Sequence, residues 1–327
     1  MKRTLSLFLS MLMLYLCGCS ESGGTTPPQE ERLITVGISQ VGAESDWRVA
    51  NSESMKAVFT EENGYRLLFS DARQKQENQI IAIRQFIQQR VDYIVLMPLS
   101  ETGWESVLQE ARAAGIPVIL VDRCIAVEDE SLYTTHIGSD FALEGERAVE
   151  WMEKTYAGAE TVNIIHIQGT LGSTAQIGRT GALEAAVERH ENWSVLARFD
   201  GDFTQAKTYE VMSLYLERFA NSLPIDVVYC ENDNEAFGAI QALTEYGYVC
   251  GEDVQIITFD ATKNALRRVA RGEIALAVEC NPLLGELVEE VISRLERGES
   301  VEKHIYVDEQ CFTIDNVDGE VIAGREY

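Results

Sequence analysis

Strand and helix signals alternate along the chain from residue 33 onward, and this alternation limits the fold more than any other feature of the sequence. Residues 33–38 and 116–121 are short apolar runs rich in β-branched side chains, as expected for buried strands. Residues 74–89, between them, carry isoleucines at helical spacing. This order implies parallel strands joined by right-handed helical crossovers, so the sequence predicts an α/β fold.

The pattern of alternation occurs twice. A strand around residues 132–138 leads out of the first set, and a new series begins with a helix from residue 141 and a strand at residues 161–167. The chain has 327 residues, of which 46% are hydrophobic, enough for two domains. The sequence therefore predicts two similar Rossmann-like halves, each built on a parallel sheet.

Composition and motifs exclude several classes of function. The net charge of −26 argues against nucleic acid binding, because phosphate recognition requires clustered Lys and Arg. The four histidines are scattered, and no Cys/His cluster has metal-ligand spacing. Neither a P-loop motif nor a Gly-x-Ser-x-Gly motif is present. We therefore expect no cofactor, no metal site and no nucleic acid partner.

The N-terminal segment predicts export and lipid attachment. Lys2 and Arg3 precede an apolar run, residues 5–16, which is too short to span a bilayer and has the length of a signal peptide core. The run leads into Leu16-Cys17-Gly18-Cys19, which resembles the lipobox of bacterial lipoproteins. The resemblance implies a signal peptide at residues 1–18 and lipidation of Cys19. An ordinary secretory signal with incidental cysteines is the alternative.

Residues 19–32 follow the predicted cleavage point and are rich in Gly, Pro, Ser and Thr, as expected for a flexible tether. Five further cysteines follow the tether. An odd number leaves at least one unpaired or bonded to another chain, so the pattern is not that of a disulfide scaffold. A bridge between Cys124 and Cys280 is one option, and the pairing stays open at this point. The cysteines in question are Cys124, Cys230, Cys250, Cys280 and Cys311.

Polar and aromatic side chains follow the predicted strands in both halves. Ligands of open α/β sheets bind beyond the carboxyl ends of the strands, so we expect these side chains to form one site. Taken singly, several could instead cap the following helix or lie in solvent. The glycine-containing loop at residues 168–173 is more typical of a tight turn than of a phosphate cradle. The candidate site residues are Glu44, Ser45, Trp47, Arg48, Asp122, Arg123, Arg179, Phe203, Asn232, Asp260 and Glu279.

The charges of this set indicate a neutral ligand. Three arginines are balanced by Asp122, Asp260 and Glu279, whereas a phosphate or carboxylate site would show a positive excess. Such a set suits a polyol, whose hydroxyls both donate and accept hydrogen bonds. Paired carboxylates could also serve a glycosidase, but nearby arginines would lower the pKa of a general acid. Binding is therefore favoured over hydrolysis.

Several segments together resemble the periplasmic sugar-binding proteins of ABC importers, of the ribose- and galactose-binding type, and most of all their galactofuranose-binding members. The likeness covers nearly all of residues 33–285. The chain departs from common family residues at Asp46, Gly178, Glu231 and Ala261. The segments that carry the resemblance include Glu44-Ser45-x-Trp47-Arg48, Gln74 to Gln79, Thr102-Gly103-Trp104-Glu105, Asp122-Arg123, Gln168-Gly169-Thr170, Gly201-Asp202-Phe203-Thr204, Asn232-Asp233 and Val278-Glu279.

The resemblance implies two lobes that close on a sugar and are joined by three crossing segments near His136, Glu279 and Asp308. The N-terminal lobe would comprise residues 33–136 plus 280–307, and the C-terminal lobe residues 137–279 plus 308–327. Trp47 and Phe203 would sandwich the sugar ring.

The function that follows is that of a monomeric, non-catalytic lipoprotein on the extracytoplasmic side of a bacterial membrane. It would bind a neutral, galactofuranose-like monosaccharide and deliver it to the permease of an ABC transporter. A receptor that presents the sugar to a histidine kinase or chemoreceptor is the main alternative, and a glycosidase is the enzymatic one.

Overall fold

The computed structural model describes residues 32–219 and 224–327. The predicted signal peptide, the lipidation site at Cys19 and the tether up to residue 31 lie outside the described residues. Within the described part of the chain, none of the helices combines the length and the apolar character needed to cross a membrane.

Strands and helices alternate as the sequence predicts. Two short 3₁₀ turns, Glu61–Asn63 and Glu130–Leu132, interrupt the connections. The first series is β1 (Ile34–Gln40), α1 (Asp46–Val58), β2 (Tyr65–Asp71), α2 (Gln76–Gln89), β3 (Tyr93–Leu96), α3 (Glu105–Ala113), β4 (Val118–Val121) and β5 (Thr135–Gly138). The second is α4 (Phe141–Thr155), β6 (Val162–Gln168), α5 (Thr174–Arg189), β7 (Trp193–Asp200), α6 (Gln205–Phe219), β8 (Val227–Cys230), α7 (Asp233–Glu245), β9 (Gln255–Asp260), α8 (Lys263–Ala270) and β10 (Leu276–Glu279). The chain ends with α9 (Gly285–Glu296), β11 (His304–Tyr306), β12 (Cys311–Phe312) and α10 (Gly319–Gly324).

The strands form two sheets of six. The first has the order β11-β5-β4-β3-β1-β2 and is parallel throughout. The second has the order β12-β10-β9-β8-β6-β7, and β12 alone runs antiparallel to its neighbour β10. Helices cover both faces of each sheet, so the strands are buried and read as continuous apolar runs. The predicted fold class, two lobes with parallel sheets, is confirmed.

Polar residues that directly precede several of the helices serve as their N-caps. Each one accepts a hydrogen bond from a backbone N–H of the first helical turn, a group that the helix itself leaves without a partner. These N-cap residues are Ser45 for α1, Asp140 for α4, Ser173 for α5, Asn232 for α7 and Thr262 for α8.

The chain crosses between the two sheets three times. It leaves the first sheet after Gly138, returns after Glu279 and crosses again between Tyr306 and Cys311. The second and third of these crossings lie next to Glu279 and Asp308. The first predicted lobe boundary, at residue 136, falls inside β5, because that strand continues through Gly138.

The carboxylate of Glu309 joins the three crossings. Its Oε1 accepts hydrogen bonds from Ser139 Oγ at 2.6 Å and from the backbone N–H of Asn281 at 2.8 Å. Ser139 belongs to the first crossing, Asn281 to the second and Glu309 to the third. Burial raises the pKa of Glu309 to about 8, and the nearby charge of Glu144 adds to this effect.

The titration of Glu309 predicts a pH-dependent stability that a glutamine would lack. Its pKa is raised above that of the unfolded chain, so its stabilising contribution is present at low pH and is lost as the pH rises through about 8. Glu309→Gln keeps the Oε1 acceptor without the charge. We expect the unfolding free energy of the variant to rise relative to wild type between pH 5 and pH 8, as measured by urea denaturation.

Glu146→Gln, an exposed change on α4, serves as the control and should leave the difference from wild type independent of pH. A constant gap for Glu309→Gln, or one that moves in favour of wild type as the pH rises, would contradict the assignment.

Two glycines on α5 give a matched test of the close packing between α4 and α5. A Cβ added at Gly178 would lie 2.7 Å from the carbonyl carbon of Phe141 at the start of α4, whereas one at Gly181 would have no atom within 4 Å. Gly181→Ala should raise the unfolding free energy by up to about 1 kcal/mol, since alanine favours the helix. Gly178→Ala should lower it by about 1–3 kcal/mol, because backbone must shift. Equal effects in urea unfolding would show that the packing is looser than described.

Candidate ligand-binding site

A cavity of about 20 Å³ lies between the carboxyl ends of the two sheets. That volume is far below the roughly 300–1,000 Å³ of small-molecule sites, so a ligand can enter only if the lining side chains or the lobes move apart. Ten of the eleven predicted site residues line it, namely Glu44, Ser45, Trp47, Arg48, Asp122, Arg123, Arg179, Phe203, Asn232 and Asp260. Phe141, Ala175 and Cys280 complete the lining.

Arg48 is held by two carboxylates on the first lobe. Its Nε donates to Glu44 Oε1 at 3.0 Å, and its Nη2 lies 2.8 Å from Asp122 Oδ2. Only 3% of the residue is exposed. Burial disfavours the charge of Arg48, but Asp122 and Glu44 outweigh this effect and raise its pKa. Ser45 begins the same helix by accepting from the backbone N–H of Arg48 at 3.2 Å.

Asp122 and Arg123 follow β4 in a strained turn. Asp122 has a φ of 65°, in the left-handed region. A Cβ at Gly138 on the neighbouring strand would lie 2.6 Å from the Asp122 carbonyl oxygen, so the turn depends on glycine at that position. The Arg123 Nη1 donates to the carbonyl oxygen of Leu99 at 3.0 Å. Burial and the charge of Arg48 lower the pKa of Arg123 to about 10.

Arg179 from α5 supplies the main cation of the second lobe. Its Nε donates to Glu144 Oε2 at 2.7 Å, its Nη1 donates to the carbonyl oxygen of Glu231, and its Nη2 lies 3.9 Å from Asp260 Oδ1. Burial opposes its charge, but Glu144 more than compensates, and the pKa of Arg179 stays well above its ordinary value. Burial and repulsion from Asp233 raise the pKa of Asp260.

The side chain of Glu231 joins three elements near this part of the cavity by hydrogen bonds: β6, α5 and the loop at Gly169. Its Oε1 accepts from His166 on β6 at 2.9 Å and from Thr180 on α5, and its Oε2 accepts from the backbone N–H of Gly169 at 2.8 Å. The residue is fully buried. Glu231, one of the departures from the family pattern, is therefore a structural support for the site.

Asn232 and Phe203 are joined by a hydrogen bond. Asn232 Oδ1 caps α7, as the sequence-based alternative for such a residue anticipates, while its Nδ2 donates to the Phe203 carbonyl oxygen at 3.2 Å. Phe203 has a φ of 59°, and a Cβ at Gly169 would lie 2.0 Å from its ring. A glycine at position 169 is thus what allows the Phe203 ring to lie at the cavity wall.

Apart from Asp122 Oδ2, which lies 2.8 Å from Arg48 Nη2 in an ion pair, three buried polar atoms of lining residues have no hydrogen-bond partner among the described residues. They are Glu44 Oε2, Arg48 Nη1 and Arg123 Nε. Leaving a buried polar group unpaired costs about 1–3 kcal/mol, so such atoms mark a place where a ligand or water completes the network. One acceptor and two donors is a combination that sugar hydroxyls can satisfy.

Glu279 does not line the cavity. Its Oε2 accepts from the backbone N–H of Gln310 at 3.0 Å, and its Oε1 faces Arg325 and Tyr327 near the C-terminus. The next residue, Cys280, reaches the cavity instead, and its carbonyl oxygen accepts from Trp47 Nε1 at 2.7 Å. All five cysteines among the described residues are free, so the structure contains no bridge between Cys124 and Cys280.

Phe141, Ala175 and Cys280 carry no distinctive signal in the sequence, because each looks like an ordinary core residue. They pack with Trp47 and Phe203 into one apolar cluster that spans both lobes.

The two lobes are closed over the cavity. The Asp46 backbone N–H donates to Asn234 Oδ1 at 3.0 Å, and the Cys124 backbone N–H donates to Thr174 Oγ1 at 3.0 Å. The Arg123 guanidinium lies 5.2 Å from the centre of the Phe203 ring of the opposite lobe. A ligand in this cavity would touch both lobes.

Comparison with known proteins agrees with this architecture. A model of the periplasmic binding protein domain matches residues 36–300. The chain is 40% identical over 249 residues to the galactofuranose-binding protein YtfQ of Escherichia coli, covering 76% of this chain and 78% of that protein.

Two solved structures are similar over most of their length. One, from Mycobacterium smegmatis in complex with β-D-fucofuranose, is 40% identical with a TM-score of 0.82 and covers 87% of this chain and 92% of that chain. The other is the periplasmic binding protein component of the arabinose ABC transporter from Shewanella sp. ANA-3, bound to α- and β-L-arabinofuranose. It is 39% identical with a TM-score of 0.84, covering 89% of this chain and 96% of that chain.

These matches confirm the predicted resemblance and the prediction of a binding protein rather than an enzyme. The family model spans most of the chain, and the two six-stranded sheets of the two lobes agree with it. The chain belongs to the periplasmic binding protein family and is an extracytoplasmic binding protein.

Proposed function

We propose that this protein is a lipid-anchored receptor that binds one neutral monosaccharide, in furanose form, and delivers it to the permease of an ABC transporter. The observation that carries the proposal is the closed cavity, in which unpaired donor and acceptor atoms face two aromatic side chains. The ten lining residues named above from the sequence, from Glu44 to Asp260, are the proposed ligand contacts.

The charges that line the cavity support a neutral ligand. Arg48, Arg123 and Arg179 are matched by the three lining carboxylates, Glu44, Asp122 and Asp260. Glu279 does not line the cavity, but Glu44 does, so the lining still has three carboxylates for its three arginines. A charged ligand would have to break buried ion pairs, at a large electrostatic cost.

The aromatic side chains support a sugar ring. Trp47 and Phe203 come from opposite lobes, line the cavity and belong to one buried apolar cluster. Sugar rings present C–H groups to aromatic side chains and hydroxyls at their edge. The proposed arrangement places the ring between Trp47 and Phe203 and the hydroxyls toward the arginines and carboxylates.

The named relatives support the furanose form. Three similar proteins, at 40%, 40% and 39% identity, are named for galactofuranose or have structures with fucofuranose and arabinofuranose bound. One of these proteins is described as a component of an ABC transporter, which supports a permease as the partner. The lipid anchor at Cys19 and the monomeric state rest on the sequence alone.

Thermal unfolding against a panel of sugars tests the proposal. A ligand that binds only the folded state stabilises it by about 2.7 kcal/mol at a hundredfold excess over its dissociation constant. We expect the midpoint to rise with galactofuranose or arabinofuranose and to stay unchanged with glucuronate and galacturonate, which carry a carboxylate. A shift with pyranoses alone would contradict the furanose assignment, and a shift with the acids alone would contradict the neutral ligand.

Arg123→Ala tests the site itself by calorimetric titration with the sugar that gives the largest shift. We expect a loss of about 2–5 kcal/mol of binding free energy, because a buried donor disappears and Asp122 loses a neighbouring cation. Arg84→Ala, which removes an exposed ion pair with Glu110 on the same lobe, should bind like wild type. Unchanged affinity in Arg123→Ala would contradict the proposed site.

A further inference from the structure

A second cluster of ligand-type side chains lies behind the sugar site, on the first lobe. Cys124 follows β4, His136 lies on β5, and His304 lies on β11, directly opposite His136 in the strand register. Each offers a potential metal-binding atom, and these atoms lie within 4.8 Å of one another. The centres of the two imidazole rings are 5.7 Å apart.

The hydrogen bond of His136 fixes which of its nitrogens is free. Nε2 lies 2.8 Å from the carbonyl oxygen of Asp122. A carbonyl oxygen only accepts, so Nε2 carries the proton and Nδ1 keeps its lone pair. The residue is 3% exposed, and Nδ1 has no partner among the described residues. Metal-binding histidines commonly use this arrangement, in which one nitrogen donates to a backbone carbonyl and the other binds the ion.

The other two side chains are available from solvent. His304 is exposed, and its ring stacks on that of Tyr306 at 6.0 Å. Cys124 is half-buried, and its thiol makes a long contact, 3.9 Å, to the carbonyl oxygen of Ile125 and a hydrogen bond with the Tyr133 side chain.

We propose that Cys124, His136 and His304 form a binding site for a zinc-class divalent cation. One thiolate and two imidazoles are a typical zinc donor set, and a water molecule would take the fourth position. Tetrahedral coordination requires ligand atoms about 3.4–3.6 Å apart, so atoms that lie up to 4.8 Å apart must approach one another by up to about 1.4 Å. The exposed His304 is free to make that movement.

The nearest cation is already engaged. Lys303 Nζ lies 3.2 Å from the centre of the Tyr133 ring and donates to the carbonyl oxygens of Tyr133, at 2.7 Å, and Glu130. The charge of Lys303 would weaken the binding of a cation, but the Lys303 side chain does not occupy the proposed site. Asp122 and Arg123, which directly precede Cys124, belong to the proposed sugar site. An ion bound by Cys124 would therefore lie next to the loop that carries Asp122 and Arg123.

Titration of the purified protein with Zn²⁺ in competition with a chromophoric chelator tests this inference. We expect one equivalent to bind, with at least a tenfold loss of affinity in Cys124→Ser and in His304→Ala. Cys250→Ser and His190→Gln, which change a half-buried cysteine and a partly buried histidine elsewhere, should retain wild-type affinity. Folding of each variant is checked by circular dichroism.

Cobalt gives an independent measurement. Co²⁺ bound to the wild type should show a thiolate-to-metal charge-transfer band that disappears in Cys124→Ser and persists in Cys250→Ser. Absence of a stoichiometric Zn²⁺ site, or binding that survives both Cys124→Ser and His304→Ala, would overturn the proposal. Neither result depends on sugar binding, so it leaves the proposed function unaffected.

Discussion

The site depends on keeping buried guanidinium groups charged. Arg48 and Arg179 are both almost fully buried, and each would be costly to bury without a partner. Carboxylates from separate elements meet them: Glu44 and Asp122 for Arg48, and Glu144 for Arg179. The pairs fix the positions of the loops after several strands, and Arg123, whose Nε has no hydrogen-bond partner among the described residues, adds a donor to the cavity lining. The same interactions that stabilise each lobe thus prepare it for a polar, uncharged ligand.

Backbone strain is concentrated in the same place. Asp122, Phe203 and Asp260 all have positive φ values, an uncommon conformation for residues with side chains, which is tolerated where the surrounding structure imposes it. Gly138 and Gly169 make room for two of these turns. The crossings are equally constrained, because Glu309 accepts hydrogen bonds from the other two segments. Closure of the lobes therefore brings together two surfaces that are each rigid.

Much of this could be predicted from the sequence because parallel sheets place the carboxyl ends of their strands side by side. That rule located ten lining residues. The rule failed at Glu279. The orientation of the Glu279 side chain depends on the pairing of β10 with β12 and on a contact with Arg325, both of which involve residues far away in the sequence. Phe141 and Cys280 look like core residues in the sequence. The cluster of Cys124, His136 and His304 was not predicted, because it forms only when β11, far along the chain, pairs with β5.

We propose that three buried atoms without a hydrogen-bond partner among the described residues, Glu44 Oε2, Arg48 Nη1 and Arg123 Nε, bind sugar hydroxyls. A crystal structure of the protein with galactofuranose would test this proposal. We expect the sugar ring to lie between Trp47 and Phe203, with a hydroxyl within hydrogen-bond distance of each of the three atoms. A sugar bound outside the cavity, or one inside it that leaves all three atoms without a partner, would show that the proposal is wrong.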